Sequence, residues 1–175
     1  MFRSLQRLLL GGLLAIAAAL PLNALAGDTL QRVVDFKVLK VGMSGNQPPM
    51  TMTNREGGMM GFDVDLAKAL ADAMKVKLEI IPMPFGELMG ALEKDKIDMV
   101  LSGLAITPGR TEMVSFVGPY MMSGKSILTK NSVLAKIQEG NDFNRKELKL
   151  LALSNSTSAS FVRGVAPDAQ LIEIS

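Results

Sequence analysis

An apolar run followed by small residues, between Ile97 and Arg110, constrains the fold more than any other part of the chain. The run Ile97–Leu101 is nearly continuous in apolar side chains, which is typical of a strand covered on both faces. Ser102 and Gly103 then interrupt it, and residues this small allow backbone N–H groups to face a cleft. The stretch therefore predicts a buried strand whose carboxyl end opens onto a site.

A helix start follows this predicted strand. Thr107 and Pro108 are typical of a helix cap and a first helical turn. Arg110 then lies near the helix N-terminus, where a guanidinium could hold a carboxylate through two parallel hydrogen bonds. The alternative is that Arg110 pairs with Glu112 or lies in solvent.

The order of apolar segments predicts an α/β fold. Strands are expected at Phe36–Met43 and Leu78–Met83, with a helix around Phe85–Glu93 before the strand Ile97–Leu101. A β-α-β-α-β order implies parallel strands, and ligands bind beyond the carboxyl ends of such strands. The loop at Ser44–Pro49, Phe85 and the loop after the third strand should therefore meet at one rim.

The segment between the first two strands predicts a hairpin and a helix. Apolar residues on both sides of Arg55–Gly58 indicate a small hairpin. A helix from Gly61 is expected to bury one face, and Asp63 and Asp65 are interpreted as capping or solvent-facing. The residues expected on the buried face are Phe62, Leu66, Leu70 and Ala73. The stretch Asp28–Asp35 reads as a polar lead-in without a clear role.

Composition excludes several classes of site. The sequence contains neither histidine nor cysteine, so it has no Ser-His or Cys-His pair, no His/Cys metal site and no disulfide. Arg3 and Arg7 precede an apolar run and the small residues Ala24 and Ala26, a pattern that predicts a signal peptide at residues 1–26. A retained N-terminal anchor is the alternative. Without Arg3 and Arg7 the 19 basic residues fall to 17, equal to the 17 acidic ones, so nucleic acid is not an expected partner.

The segment D-x-x-x-S-G-x-x-I-T-x-x-R resembles the family-3 solute-binding proteins, the periplasmic receptors of polar amino acid uptake systems. Here it begins at Asp98 and ends at Arg110. The resemblance implies that Arg110 binds a ligand carboxylate, helped by Ser102 and by the backbone N–H groups of Gly103 and Ala105. It also implies that no cofactor or metal takes part.

Further motifs extend the resemblance over most of the chain. Pro48-Pro49 followed by G-F-D-V-D-L-A, and F-x-x-P-Y ending at Tyr120, match the family. The implied fold is a type II periplasmic-binding-protein fold of two α/β lobes joined by a hinge, with an incomplete second lobe. Lobe 1 would span residues 27–121, the crossing 122–124 and the partial lobe 2 residues 125–175, beginning with a strand at Lys125–Lys130.

Lobe 2 is expected to add hydroxyl groups to the site. A strand at Leu150–Leu153 runs into a Ser-rich turn, and Ser156, Thr157 and Ser158 match the family's carboxylate-binding hydroxyls. The alternative is an ordinary Ser-rich loop. Asn155 stands where glycine is usual, but asparagine tolerates a left-handed backbone.

Three departures from the family pattern bear on the ligand. First, Ser44 stands where amino acid receptors often carry an acid, and Gln47 where they often carry an aromatic residue. Second, Ala105 stands where a hydroxyl is usual. With Phe85 these positions complete the expected site. Third, the chain stops at Ser175, and the resemblance implies that the family's ammonium-binding aspartate would lie in the part of lobe 2 beyond it. The resemblance implies a monomeric, non-catalytic periplasmic receptor that binds a small carboxylate-bearing solute, expected to be a polar amino acid, and delivers it to the membrane subunits of an ABC importer. The alternatives are a truncated non-binding remnant or sensor module, and a dehydratase acting on prephenate-like acids.

Overall fold

The computed structural model describes residues 27–132, 134 and 140–175. The predicted signal peptide lies outside the described residues, as does part of the stretch 131–149 that was expected to be partly helical. The described strands are β1 (Val38–Met43), β2 (Asn46–Gln47), β3 (Thr51–Thr53), β4 (Met59–Met60), β5 (Lys77–Pro82), β6 (Met99–Val100), β7 (Lys149–Leu153) and β8 (Gln170–Ile174). The described α-helices are α1 (Asp28–Phe36), α2 (Phe62–Met74), α3 (Leu88–Glu93), α4 (Pro108–Thr111) and α5 (Thr157–Val165), with 3-10 turns at Phe85–Glu87 and Gly140–Phe143.

The first sheet is parallel, with β1 between β5 and β6. β6 is shorter than the predicted strand, but the ladder continues because the Asp98 N–H donates to the Lys40 carbonyl at 2.8 Å. The predicted β-α-β-α-β order is therefore confirmed, and the loops after β1 and β6 leave the same edge of the sheet. The predicted hairpin is also confirmed, since β3 pairs with β4 in an antiparallel manner and β2 adds a third short strand.

The core packs α1, α2 and the segment after β6 against β1. Its buried members are Val33, Leu39, Val41, Met43, Val64, Ala67, Ala71 and Leu101. Burial of these apolar side chains is the main favourable contribution to folding. The chain therefore relies on this core, since it has no disulfides.

The buried face of α2 differs from the predicted one. Ala67 and Ala71 face the core fully buried, whereas Phe62 is 44% exposed and Ala73 lies at the surface. Leu66 and Leu70 pack against the core only in part. The helix therefore packs against the core mainly through Val64, Ala67 and Ala71 rather than through the larger residues that the sequence predicted.

The stretch predicted to be a polar lead-in forms α1. Its Val33 is buried, and the guanidinium of Arg32 lies 2.6 Å from the Asp98 carboxylate, whose side chain is nearly inaccessible. Phe36, predicted to be a buried strand residue, ends α1 and is 74% exposed. The contacts that stabilise α1 come from residues distant in sequence, so the local pattern did not reveal them.

The C-terminal part forms a β-α-β unit in which β7 and β8 pair in parallel and are connected through α5. The predicted strand at Lys125–Lys130 is wrong, because these residues form no ladder and Leu128 is fully exposed. A groove of about 580 Å³ separates residues 125–129 from β7. A strand requires a hydrogen-bonded neighbour, and across this groove the segment has none among the described residues.

Candidate functional site

A cavity of about 250 Å³ lies where the loop after β6 faces the start of α5. Its lining residues are Gln47, Phe85, Gly103, Ala105, Arg110, Ser123, Gly124, Lys125, Leu153, Ser156, Thr157 and Ser158. Seven of the nine sequence-predicted site residues are among them, and Ser44 and Ser102 are not. The rim that the strand order predicted therefore exists.

Arg110 lies in the first turn of α4, as predicted. Thr107 caps this helix, and its hydroxyl accepts a 3.4 Å hydrogen bond from the Arg110 N–H. The guanidinium donates to the Ala105 carbonyl at 2.8 Å and to the Asn155 carbonyl at 2.9 Å. Its central carbon lies 5.8 Å from the centre of the Phe85 ring, within cation–π range.

Two of the five N–H donors of the guanidinium are engaged by these carbonyls, which leaves three for a ligand. Burial lowers the pKa of Arg110 from its ordinary value, but an arginine keeps its charge at neutral pH. No salt bridge joins Arg110 to Glu112 or to any other acid among the described residues. Arg110 is therefore a fixed, unneutralised cation at the cavity wall.

Asp63 anchors the loop after β6 through a hydrogen bond to its backbone. The Asp63 carboxylate is 0% exposed, and its Oδ2 accepts a 2.7 Å hydrogen bond from the Gly103 N–H. Asp63 is therefore neither solvent-facing nor a helix cap, contrary to its sequence interpretation. The Gly103 N–H is directed at Asp63, so the backbone contact predicted for it is not available in this arrangement, although Gly103 lines the cavity.

Tyr120 is the other neighbour of this carboxylate. Burial raises the pKa of Asp63, while hydrogen bonds from Gly103 and the Tyr120 hydroxyl act in the opposite direction. Burial and the adjacent Asp63 charge raise the pKa of the Tyr120 phenol, which therefore remains a donor. The Tyr120 ring also stacks on Phe62 at 6.1 Å. These contacts connect the residues just before the predicted crossing to the loop that carries the site.

Ser44 and Ser102 support the loops rather than line the cavity. The Ser102 hydroxyl is fully buried, donates to Ser44 Oγ at 2.9 Å and accepts from the Ser44 N–H at 3.0 Å. The amide nitrogen of Gln47 donates to the Ser102 carbonyl at 3.0 Å. With its amide nitrogen engaged, the side chain of Gln47 can offer its oxygen to the cavity as a hydrogen-bond acceptor.

The start of α5 forms the opposite wall. Ser156 caps the helix, because its hydroxyl accepts a 3.1 Å hydrogen bond from the Ala159 N–H. Thr157 is the first helical residue. Asn155 adopts a left-handed backbone with φ 57°, which confirms that asparagine can replace the usual glycine in this turn.

Four lining residues were missed by the sequence interpretation, namely Ser123, Gly124, Lys125 and Leu153. Three of them lie at or beside the predicted crossing at 122–124. A chain that crosses between two lobes must pass the cleft between them, and this reasoning could have identified them. Leu153 precedes the Ser-rich turn and gave no signal of its own.

The described residues offer no other obvious chemistry. They contain no cluster of acidic residues suited to a metal ion. None of the helices in this described part of the chain has the length and apolar character that a membrane span requires. The whole sequence has no histidine or cysteine. Arg110 and the start of α5 can bind an anion, and the described part of the lining contains neither aspartate nor glutamate.

Several known proteins are similar to this chain in sequence, and solved structures are similar to it in fold. The chain is 30% identical to cyclohexadienyl dehydratase of Pseudomonas aeruginosa over 159 residues, covering 91% of this chain and 59% of the relative. It is 28% identical to the L-cystine-binding protein TcyJ of Escherichia coli over 147 residues, covering 82% of this chain and 55% of the relative. The crystal structure of an ancestral amino acid-binding protein described as a precursor of cyclohexadienyl dehydratase matches with a TM-score of 0.80 at 34% identity.

The match to this ancestral protein covers 84% of the chain and 65% of the solved structure. The chain thus spans less than two thirds of the length of each of these relatives. Its architecture is the type II periplasmic-binding-protein fold that the sequence predicted, in part. A family model of bacterial extracellular solute-binding proteins, family 3, matches residues 39–163. The chain belongs to that family.

Proposed function

We propose that the protein is the substrate-binding component of an ABC importer and that it binds a small solute through a carboxylate. A solute-binding role is supported by relatives that are amino-acid-binding proteins. The expected solute is a polar amino acid, and no catalytic step is involved. The partners in this proposal are the ligand and the importer's membrane subunits, and the protein acts as a monomer in the periplasm after removal of residues 1–26.

The single observation that carries this proposal is the environment of Arg110. Its guanidinium faces the cavity without an acidic partner among the described residues, and two carbonyl bonds fix its orientation. A planar guanidinium with free donors matches the two oxygens of a carboxylate. The other lining residues that we propose to contact the ligand are Ala105, Thr157, Ser156, Gln47 and Phe85. Gly103 forms part of the cavity wall, and Ser44 and Ser102 support the loops behind it.

We also propose that residues 27–121 and 125–175 are two lobes that close on the ligand around the crossing at 122–124. The cavity is lined from both sides of this crossing, and the Arg110–Asn155 bond connects them. Closure by hinge motion excludes water, and this strengthens the charge-assisted bonds to the carboxylate.

Titration calorimetry of the mature chain with a panel of amino acids tests the proposal. Micromolar or tighter binding of at least one amino acid is expected, and it should be lost in Arg110→Ala. Arg55→Ala is the matched control, because Arg55 lies in the exposed hairpin turn and does not line the cavity. The chain would be a non-binding remnant if it binds none of these amino acids while a version completed with the remaining part of a relative binds one.

A dehydratase is the second candidate, because one relative at 30% identity is named cyclohexadienyl dehydratase. Dehydration requires a group that moves a proton, and the described cavity lining contains no aspartate, glutamate or histidine. Incubation of the mature chain with prephenate, followed by detection of released product, separates the two functions. Turnover that Arg110→Ala abolishes would favour the enzyme.

A further inference from the structure

Asn155 lies in the turn between β7 and α5, at the edge of the cavity. Its backbone is left-handed, with φ 57°, a conformation that asparagine adopts more readily than most residues. Glycine, the usual residue at this position, would leave the turn without a side chain. In this chain the turn carries an amide, and two different parts of Asn155 reach residues on the other side of the crossing at 122–124.

The backbone carbonyl of Asn155 makes the first of these contacts. It accepts a 2.9 Å hydrogen bond from Arg110 Nη2, while Arg110 Nη1 donates to the Ala105 carbonyl at 2.8 Å. A guanidinium is a planar and rigid fork, so two carbonyls on two of its nitrogens fix both its position and its plane. The Asn155 carbonyl therefore helps to determine where the remaining donors of Arg110 point.

The side chain of Asn155 makes the second contact, against Gly86. A Cβ atom built on Gly86 would lie 2.8 Å from Asn155 Nδ2 and 3.6 Å from the Cβ and Cγ atoms of Asn155. The first of these distances is too short for a real Cβ atom, so the Asn155 amide occupies space that any larger residue at position 86 would need. Gly86 is not among the glycines with a left-handed backbone, and what glycine provides here is this close approach.

We propose that Asn155 is a positioning residue that holds the two walls of the cavity together, with its carbonyl on Arg110 and its side chain on Gly86. Both contacts join groups of the protein itself. With the walls held in this way, the guanidinium faces the start of α5, where an anion can meet Arg110 and the first helical N–H groups together. The inference rests on the two lobes proposed above and does not depend on the identity of the ligand.

The distance between two spin labels on the mature chain tests this role. The sequence has no cysteine, so Ala73→Cys and Gly164→Cys introduce two labelling sites, one on each side of the crossing. Ala73 is exposed on α2, and a side chain at Gly164 in α5 would meet no atom within 4 Å. Pulsed dipolar spectroscopy then gives the distribution of label distances, in which separated walls appear as a population at longer distance.

Single substitutions remove each contact in turn. Asn155→Gly keeps the left-handed turn and removes the side chain, and the loss of a few van der Waals contacts should raise the long-distance population about twofold. Gly86→Ala should also raise it, because Asn155 Nδ2 has to move away from the new methyl group. Gly90→Ala is the matched control, since a Cβ atom there meets nothing within 4 Å. Arg110→Ala removes the hydrogen bond to the carbonyl and should raise the population about tenfold.

The double variant Asn155→Gly/Gly86→Ala distinguishes this role from a general loosening of the fold. It should match Asn155→Gly alone, because the amide that the new methyl group would meet is gone. Additive effects of the two changes, or a distribution that Asn155→Gly leaves unchanged, would overturn the inference, and an unchanged distribution in Arg110→Ala would overturn the role of the carbonyl. The expected distances in a chain that binds no amino acid would support the inference and contradict the receptor function, so the two proposals can fail separately.

Discussion

Replacement of Arg110 by lysine keeps the charge of the site and removes its geometry. In the structure the guanidinium spans two carbonyl oxygens, at 2.8 Å for Ala105 and 2.9 Å for Asn155. A single ammonium cannot reach both carbonyls and also offer two parallel bonds to a carboxylate. Arg110→Lys should therefore lose one charge-assisted bond to the ligand.

Such a bond contributes about 1.5–3 kcal/mol, so Kd should rise roughly 10- to 150-fold. Titration calorimetry with the best ligand of the panel measures this change. Arg55→Lys, in the exposed hairpin turn, is the matched control and should bind as the unchanged chain does. Urea unfolding should show a loss of only about 1 kcal/mol for Arg110→Lys, because Arg110 is partly exposed and lies outside the core. Equal ligand affinity of Arg110→Lys and the unchanged chain would refute the carboxylate role of Arg110.

Three further predictions concern the loop support, export and the exposed surface. Burial raises the pKa of Asp63 above its ordinary 3.8, so the stabilisation from its protonated carboxyl should be full below that pH and decline as pH rises through the folded pKa. Asp63→Asn should flatten this part of a curve of unfolding free energy against pH, measured by urea unfolding. An unchanged curve would contradict the burial of the Asp63 carboxyl as the cause. Protein recovered from a periplasmic extract should begin at Gly27 by N-terminal sequencing, and a chain still starting near Met1 would refute cleavage. Leu128 is fully exposed and Val117 is 94% exposed, so the chain should bind a hydrophobic dye. The double variant Leu128→Lys/Val117→Lys should bind less dye without a lower Tm. Unchanged dye binding would show that the dye binds another apolar surface.

The sequence predicted the parts of the fold that depend on local patterns. The parallel order of β1, β5 and β6 follows from apolar runs separated by helical segments, and the cap at Thr107 follows from residue type alone. The left-handed turn at Asn155 was anticipated for the same reason. Such features depend on a few neighbouring residues, so one sequence is sufficient to identify them.

The parts that the sequence did not predict depend on distant partners. α1 is stabilised by the ion pair of Arg32 with Asp98, and Asp63 is buried because its carboxylate meets the Gly103 N–H. Both aspartates are charged residues whose burial only a tertiary partner explains. The prediction of a strand at Lys125–Lys130 was wrong because its residue pattern fits a strand, but no strand among the described residues pairs with it.

The need for tertiary contacts also explains which site residues the sequence could identify and which it could not. Arg110 and Thr157 were identified from motifs and Phe85 from the order of the strands, and all three line the cavity, whereas Lys125 was not singled out. The motif positions of Ser44 and Ser102 indicated the right loop but not the direction of their hydroxyls, which bond to each other. Sequence located the loops of the site, and only the packed structure showed which atoms face the cavity.

The hydrogen bond from Arg110 to the Asn155 carbonyl has a consequence for the rate at which a ligand enters. It joins α4 to the turn before α5, and thus holds the two walls of the cavity together. If the proposed ligand enters between these walls, we expect the opening of this bond to limit association along with diffusion. Once inside, the solute meets a guanidinium that is already ordered, so little side-chain freedom is lost on binding. Slow entry into an ordered site is thus the kinetic behaviour expected of this arrangement.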